Sequence, residues 1–463
     1  MTKYVKFLNI VIIFPFVLNF FFNFTELNHL NFRSLLLGSL CFIGLYFIGK
    51  ELDKAFNLNS ISLAITFYLM GGYLLNYFLL PLDKYFLSFK EVLLIYNLLV
   101  FIGVIYRTKK IIPGLLVILL VFSIRYVIEF LEVSDYEHVL LNTDVSEFWY
   151  PMTLKIYNYD LFFSLKNNII PGYSLLINYV YAEIYFIFLG NNTIYTQLVP
   201  NIFLFLNLLI FSELKISVSS KLNFTILYTA VLLNSDWLSF LFFNSLMGEV
   251  IVNYFFSVFL LNAYLNERIK NSKVFFLFLG FLYFLKPFSS ILFLIIPIYF
   301  ILKRRSYFFL LMSSVGILLS NFFNQIIFDK GELGLPLQNE NTYLNIFIEN
   351  MDKLTKFKLN NILLILSQEI LIDKVLTLFL VFYIFSILFF RRGLKSINLM
   401  NFILLANTFL VFFLYATVWQ NIELGSAYRY IFSFINVLFI DFAIKMDMKI
   451  NLFQKIGPSN RDQ

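Results

Sequence analysis

Residues 92–130 read VLLIYNLLVFIGVIYRTKKIIPGLLVILLVFSIRYVIEF, and this stretch decides the fold. It contains two apolar runs on either side of the basic segment 107–110. Each run is close to the roughly 20 residues that an α-helix needs to cross the hydrocarbon core of a membrane. Because basic loops stay preferentially on the cytoplasmic side, the stretch predicts a helical hairpin that crosses the membrane twice with its turn inside.

The rest of the chain has the composition of a membrane protein. Of its 463 residues, 60% are hydrophobic and only 14% are charged, whereas about a quarter of an ordinary soluble domain is charged. The single cysteine, Cys41, excludes an intrachain disulfide, and the two histidines, His29 and His138, argue against a histidine metal centre. No nucleotide-binding loop or hydrolase motif occurs. The net charge of +7 therefore relates to membrane topology, and no nucleic-acid partner is expected.

Apolar runs of crossing length recur through the whole chain. They begin near residues 7, 32, 58, 92, 111, 196, 222, 250, 306, 375, 398 and 427, and a further run over 274–302 is broken into two short helices. The sequence thus predicts an all-α polytopic membrane protein with about fourteen transmembrane helices.

The distribution of charge predicts which loops are cytoplasmic. With the N-terminus inside and the crossings alternating, the inner loops hold 22 of the 35 Lys and Arg residues but only about seven of the 28 Asp and Glu residues. The inner surface then carries about +15 and the outer surface about −8. This bias predicts a multi-pass inner-membrane protein with both termini in the cytoplasm. The inner basic residues lie in the segments 3–6, 50–54, 107–110, 215–221, 268–273, 303–305, 391–395 and 445–461.

Two outer loops are long, over residues 131–195 and 329–374. In the first loop, the pattern over 149–159 predicts a short helix along the membrane surface with aromatic anchors. A second, amphipathic stretch over 171–190 carries Glu183, and a surface or re-entrant helix fits it better than a crossing. The second loop is expected to form a lid or an acceptor-binding element. Any chemistry is therefore expected on the outer, periplasmic or extracellular, face.

Four short motifs lie on this outer face. They are Asp144 just beyond the membrane with the later Pro-Gly-Tyr at 171–173, SLMGE at 245–249, FLKP at 284–287 and AYRY at 427–430. In this order they resemble the motifs of the GT-C glycosyltransferase superfamily. The resemblance covers about residues 111–447. Within the superfamily it points to bacterial membrane proteins similar to dolichyl-phosphate-mannose–protein mannosyltransferases and to aminoarabinose transferases.

The resemblance implies a fold, a reaction and a domain organisation. It implies a GT-C-like fold with juxtamembrane helices in the first outer loop. It also implies an inverting enzyme that moves a sugar from a polyprenyl phosphate to a glycan, lipid or protein acceptor outside the cytoplasm. Residues 111–447 would form the catalytic module and 448–463 a cytoplasmic tail. Residues 1–110 would form N-terminal transmembrane helices that many relatives lack before the acidic loop.

The expected chemistry assigns roles to the acidic residues. A sugar on a lipid phosphate already has a good leaving group, so the enzyme needs a base for the acceptor hydroxyl and cations for the growing phosphate charge. Asp144 is the expected general base, and Glu147 is the next candidate. Glu249 would orient the acceptor or bind a divalent metal. Whether a cofactor is used stays open, and Mg or Mn held by Asp144 and Glu249 is the possibility that the motifs allow.

The donor phosphate needs cationic partners and the sugar needs contact surfaces. Arg binds phosphate through two nitrogens, whereas Lys acts as a point charge. The expected donor-phosphate residues are Lys155, Lys286, Arg429 and Tyr430. The expected substrate contacts are Trp149 and Tyr173.

Each of these residues also has a structural alternative. Asp144 could be an ordinary acid of the loop, and Glu249 an acid favoured at a helix N-terminus. Lys286 could extend along a helix end towards water. Arg429 could anchor the last span to lipid headgroups, and Trp149 could belong to an interfacial aromatic belt.

Two other functions compete with the transferase. A polysaccharide polymerase or ligase would use several Arg residues in its large outer loop, but the loop over 329–374 has Lys and no Arg. A lipid-linked-sugar flippase or other transporter would need ionisable groups at mid-membrane, and the predicted spans hold almost none. Arg125 and Glu129, one turn apart near the outer end of a span, are expected to form an ion pair.

Overall fold

The computed structural model describes residues 32–83, 88–130, 149–167, 175–189, 198–214, 216–235 and 248–265, and near the C-terminus 375, 378–379, 436, 438–444 and 447. Within these ranges all regular structure is helical and no strand occurs. The prediction of an all-α chain is confirmed for this part. The number of crossings, the GT-C arrangement and the cytoplasmic tail stay predictions, because they depend on residues outside it.

Ten helices lie in the described ranges up to residue 265, and a π-helical turn, Tyr185–Leu189, continues the seventh. The helices are α1 Phe32–Phe56, α2 Ile61–Asp83, α3 Phe89–Thr108, α4 Ile112–Phe130, α5 Tyr150–Asn158, α6 Leu161–Lys166, α7 Leu176–Ile184, α8 Leu198–Glu213, α9 Val218–Asn234 and α10 Glu249–Leu265.

Helices α1 to α4 are long and apolar enough to cross a membrane. Their apolar stretches are Leu35–Phe56, Ile61–Leu79, Phe89–Thr108 and Ile112–Phe130. The runs expected near residues 32, 58, 92 and 111 are therefore confirmed as helices of crossing length. The outer surfaces of α3 and α4 expose large apolar side chains, such as Leu98 and Phe122. A contiguous apolar surface of this kind is stable against lipid rather than against water, which supports a bilayer as the environment of this protein.

Local sequence signals set the two ends of α3. At its start the backbone N–H of Ser88 donates to the Glu91 carboxylate at 2.7 Å, while the Glu91 N–H donates to the Ser88 hydroxyl. This capping box satisfies two donors that have no partner inside the helix. At the other end Lys109 adopts a left-handed conformation with φ 56°, and its N–H donates to the Ile105 carbonyl. The basic turn thereby ends α3 and lets α4 begin three residues later.

Glu213, the last residue of α8, binds the start of α2. Its carboxylate accepts hydrogen bonds from the backbone N–H groups of Ile61 and Ser62 at 2.7 and 3.0 Å. It also accepts from the hydroxyls of Ser60 and Ser62 at 2.8 and 2.5 Å. A negative side chain at this place satisfies unpaired N–H groups and interacts favourably with the helix dipole. The contact joins the loops near residues 57 and 214, both of which the charge pattern assigns to the inner side.

Asp447 makes a second contact at the same end of α8 and α9. Its carboxylate accepts from the backbone N–H of Ser217 at 3.2 Å and from the hydroxyl of Ser220 at 2.8 Å. The charge pattern places residues 445–449 on the inner side as well. At the other end of the bundle, the N–H of Phe89 donates to the Tyr159 carbonyl at 3.2 Å, which joins two segments predicted to be outside. The helix ends are therefore grouped as the charge pattern groups them, and which end faces the cytoplasm stays a prediction.

Helix α7 enters the bundle and does not cross it. Near its start Tyr179 packs against Phe89 at a ring distance of 5.2 Å. Phe188, in the π-helical turn that continues it, packs against Gly44 at the middle of α1, where an added Cβ would lie 2.6 Å from the ring. The chain then returns, because Asn201 near the start of α8 lies against Gly38. This path agrees with the re-entrant alternative of the sequence prediction.

The amphipathic surface placement expected for the stretch 171–190 is wrong where the structure describes it. All nine residues of α7 are buried, including Asn178 and Glu183. A helix that is enclosed on all sides belongs to the interior. The polar residues that resembled a water-facing stripe instead contact neighbouring helices.

The N-terminal helices share one core with the rest of the described chain. Buried residues from α1 to α10 form a single apolar cluster. Helix α1 packs on α8 and α4, and α2 packs on α7. The domain boundary predicted near residue 110 stays a prediction.

Two neighbouring glycines of α2 let other helices come close. An added Cβ at Gly71 would overlap the hydroxyl of Tyr96 on α3. An added Cβ at Gly72 would lie 3.0 and 3.1 Å from the two carboxylate oxygens of Glu183 on α7. Consecutive residues of a helix point in directions about 100° apart, so the middle of α2 lacks a side chain on two of its faces.

Candidate functional site

Part of the predicted site lies within the described residues. Trp149 directly precedes α5, Lys155 lies within α5, and Glu249 is the first residue of α10. The other predicted site residues lie outside the described residues, and these are Asp144, Glu147, Tyr173, Lys286, Arg429 and Tyr430. Their roles stay predictions.

The short helix expected over 149–159 is confirmed as α5, with Pro151 in its first turn. Proline suits this position because the N–H that it lacks would have no partner inside the helix. The carbonyl of Trp149 accepts from the Thr153 hydroxyl at 2.7 Å and from the Asn178 side chain on α7 at 2.8 Å. Helix α5 is thus fixed to α7 at its first residue.

The indole of Trp149 is buried, with only 3% of the residue exposed. An added Cβ at Gly248 would lie 2.9 Å from the Trp149 ring and 2.7 Å from Cδ1 of Ile177. This burial favours a packing role for Trp149 over a belt position or an open surface for stacking a sugar. The contact also joins the start of α5, which follows the acidic loop, to the glycine directly before Glu249.

Two lysines lie at the end of the bundle that carries α5. Lys155 donates to the carbonyl of Asn167 at 3.0 Å, so one of its N–H groups holds the end of α6. Lys90, in the first turn of α3, lies with its Nζ 4.5 Å from the centre of the Tyr157 ring, a cation–π contact. Sequence reasoning did not select Lys90, although this lysine lies at the predicted outer end of a membrane span, where a cation could meet a phosphate.

The tyrosines of α5 stay uncharged. Burial raises the pKa of Tyr150. Burial also raises the pKa of Tyr157, and the nearby charge of Arg125 reduces that shift. Neutral phenols at this end can donate hydrogen bonds but cannot supply negative charge. Arg125 itself is paired with Glu129 at 3.1 Å, which confirms the expected ion pair.

Glu183 is the buried residue that sequence reasoning did not identify as a site. It is fully enclosed on α7, and neither carboxylate oxygen has a hydrogen-bond partner among the residues that the structure describes. Burying a carboxyl group without a partner is costly. The only sequence signal was its place in an apolar run, and that place fitted a surface helix equally well.

A metal site is not visible in the described ranges, where no group of three or more His, Cys, Asp and Glu side chains could hold an ion. The predicted pair of Asp144 and Glu249 involves a residue outside these ranges, so a Mg or Mn site there stays a prediction.

Comparison with known proteins identifies no relative. No family model matches the chain, and neither the curated proteins nor the solved structures yield a match.

Proposed function

We propose that this protein is an integral-membrane glycosyltransferase of the GT-C type. It would transfer a sugar from a polyprenyl phosphate to a glycan, lipid or protein acceptor on the non-cytoplasmic face of the inner membrane, with both termini in the cytoplasm. The four ordered sequence motifs, all on the outer side of a topology deduced from charge, are the basis of the proposal.

One contact supports it in particular. Trp149 packs on Gly248, although the two residues are almost a hundred positions apart in the chain. Glu147 comes two residues before Trp149, and Glu249 follows Gly248 directly. The contact joins the chain just after the first acidic motif to the chain just before Glu249, and this proximity supports the proposal of a shared active site.

The proposed chemistry divides between acids and cations. Asp144 removes the proton of the acceptor hydroxyl as that oxygen attacks the anomeric carbon from the face opposite the phosphate, which inverts the configuration there. Lys286 and Arg429, with Tyr430, stabilise the charge of the departing lipid phosphate. Lys155 would contribute with whichever of its N–H groups is not bound to Asn167.

Replacement of Asp144 by Asn tests the proposal. The purified protein is reconstituted with a panel of labelled polyprenyl-phosphate sugars, and transfer to endogenous or added acceptors is measured. We expect the Asp144→Asn variant to lose activity by a factor on the order of 10²–10⁴, the usual contribution of a general base. Full activity in this variant would refute the role of Asp144.

Asp160 supplies a matched control in the same predicted loop. It caps α6 by accepting from the N–H of Phe163 at 2.5 Å. Asn caps helices about as well as Asp, so Asp160→Asn should keep both fold and transfer activity. If no donor in the panel supports transfer by the unmodified protein, the transferase proposal fails as a whole.

Buried Glu183 gives one observation in favour of the alternative function, a lipid-linked-sugar flippase or other transporter. An ionisable group at the level of the middle of α2 is typical of proteins that move ions or solutes across membranes. Translocation of a labelled lipid-linked sugar across proteoliposomes, without sugar transfer, would support this alternative.

A further inference from the structure

A polar site lies where α7 enters the bundle. Gly72 and Asn76 are one turn apart on α2, and Tyr179 and Glu183 are one turn apart on α7. The two helices run antiparallel here, because Glu183 lies against Gly72 while the side-chain amide of Asn76 reaches the Tyr179 hydroxyl at 3.5 Å. Gly72 is the middle residue of α2, so the site is at mid-depth of a helix long enough to cross a membrane.

Three buried oxygens on these facing turns of α2 and α7 could accept hydrogen bonds but have no donor within the described ranges. They are both carboxylate oxygens of Glu183 and the side-chain oxygen of Asn76, with no partner among the residues the structure describes. Native proteins satisfy nearly all buried polar groups, and each exception calls for an explanation.

Two tyrosines near this site donate their hydroxyl protons to other groups. Tyr68 is one turn before Gly72 on α2, and Tyr96 on α3 lies against Gly71. The Tyr96 hydroxyl donates to the Tyr68 carbonyl at 2.7 Å, and the Tyr68 hydroxyl donates to the side chain of Asn97. Their hydroxyl protons are therefore committed to other acceptors.

We propose that this site binds a monovalent alkali cation, Na⁺ or K⁺, through the carboxylate of Glu183 and the side-chain oxygen of Asn76. Hard cations prefer oxygen ligands, and the single negative charge of Glu183 matches a cation of charge +1, whose remaining ligands would be water molecules. A proton would supply one donor to three acceptors and would leave at least one buried oxygen without a partner. The proposal rests on packing in the described bundle and does not depend on the transferase assignment.

Cation binding would fix the position of α7 against α2. The same helix holds the start of α5 through Asn178 and lies on Gly248 through Ile177. The occupied site would therefore stabilise the Trp149–Gly248 contact through α7, on which Glu183 and Asn178 are more than one helical turn apart.

The test compares salts that differ only in the cation. Purified full-length protein in nanodiscs is melted in NaCl, KCl and choline chloride at matched ionic strength, and binding is measured by titrating each alkali cation into choline buffer. We expect a higher melting temperature in NaCl or KCl than in choline chloride, because a ligand bound to the folded state alone stabilises it. Equal melting temperatures in all three salts would overturn the proposal and indicate a carboxyl group that stays protonated.

Variants localise the effect. Glu183→Gln keeps the shape of the side chain and should abolish the difference between salts, while Asn76→Ala should weaken apparent affinity about tenfold or more. Glu129→Gln, which alters an acid outside the site, should keep the full difference. A Glu183→Gln variant that elutes as a folded monodisperse protein and still responds to the alkali cation refutes the site. The comparison of salts on the unmodified protein remains decisive if this variant does not fold.

Discussion

Replacing Gly248 by Ala tests the close contact of Gly248 with Trp149 and Ile177. The new Cβ would lie 2.7 Å from Cδ1 of Ile177 and 2.9 Å from Cη2 of Trp149. Both distances are shorter than real Cβ contacts, and the rigid indole has little freedom to move. One of the two segments must therefore shift.

The magnitude follows from the cost of adding a methyl group to a packed interior, which is typically about 1–3 kcal/mol. The Ile177 contact involves the far end of a flexible side chain, whereas the Trp149 contact involves a ring fixed by α5. We therefore expect Gly248→Ala to lower the free energy of unfolding by about 2 kcal/mol. If the transferase proposal is correct, sugar transfer should fall as well, since the segments of Glu147 and Glu249 would move apart.

The assay is a double-mutant cycle measured by denaturation of the purified protein. Ile177→Val removes Cδ1 and alone should cost about 0.5–1.5 kcal/mol, but in the Gly248→Ala background it should cost less or restore stability. A coupling free energy of about 0.5 kcal/mol or more is expected for residues in direct contact. Gly103→Ala is the control, because its Cβ would meet only Phe56 at 3.9 Å. Neutral behaviour of Gly248→Ala together with strict additivity would refute the contact.

Two further changes test the helix ends and surfaces. Glu213→Gln should lower the free energy of unfolding by about 3 kcal/mol, because a charged acceptor of four hydrogen bonds at the start of α2 becomes neutral. Thermal denaturation measures this loss. An unchanged melting temperature would contradict the role given to Glu213. Glu129→Gln should change the free energy of unfolding by less than about 0.5 kcal/mol, because its ion pair with Arg125 is partly exposed and joins residues one turn apart. A larger loss in the same assay would mean that the pair stabilises more than its own helix.

The crossing helices could be predicted from sequence because their signals are local. Helix length, hydropathy and basic turns such as the one at Lys109 are all read within one segment. The starts of α1 to α4 fall within a few residues of the apolar runs for this reason. The grouping of helix ends was equally accessible, since charge distributes by side of the membrane.

The interior of the bundle could not be predicted in the same way. Helix α7 has an amphipathic sequence although it is enclosed on every side, and this pattern made Glu183 look like a surface residue. The partner that makes room for it, Gly72, is more than a hundred residues away in the chain. Trp149 likewise fitted an interfacial belt until the position of Gly248 was known.

The structural roles of the acidic residues could not be predicted from the sequence either. Glu213 reads as an ordinary charged residue at the end of an apolar run, yet it binds the start of a helix about 150 positions earlier. Such pairings depend on which helices become neighbours, and spacing along the chain carries no information about that.

The Glu213 contact also has a consequence for the order of biosynthesis. Ribosomes add about 5–20 residues per second, so α2 leaves the ribosome roughly 8–30 s before the residue that completes its first turn. During that interval the hydroxyls of Ser60 and Ser62 must find water or a temporary partner. Helix α2 therefore reaches its final state only after α8 has been inserted, and a chain truncated before residue 213 would lack this late step of assembly.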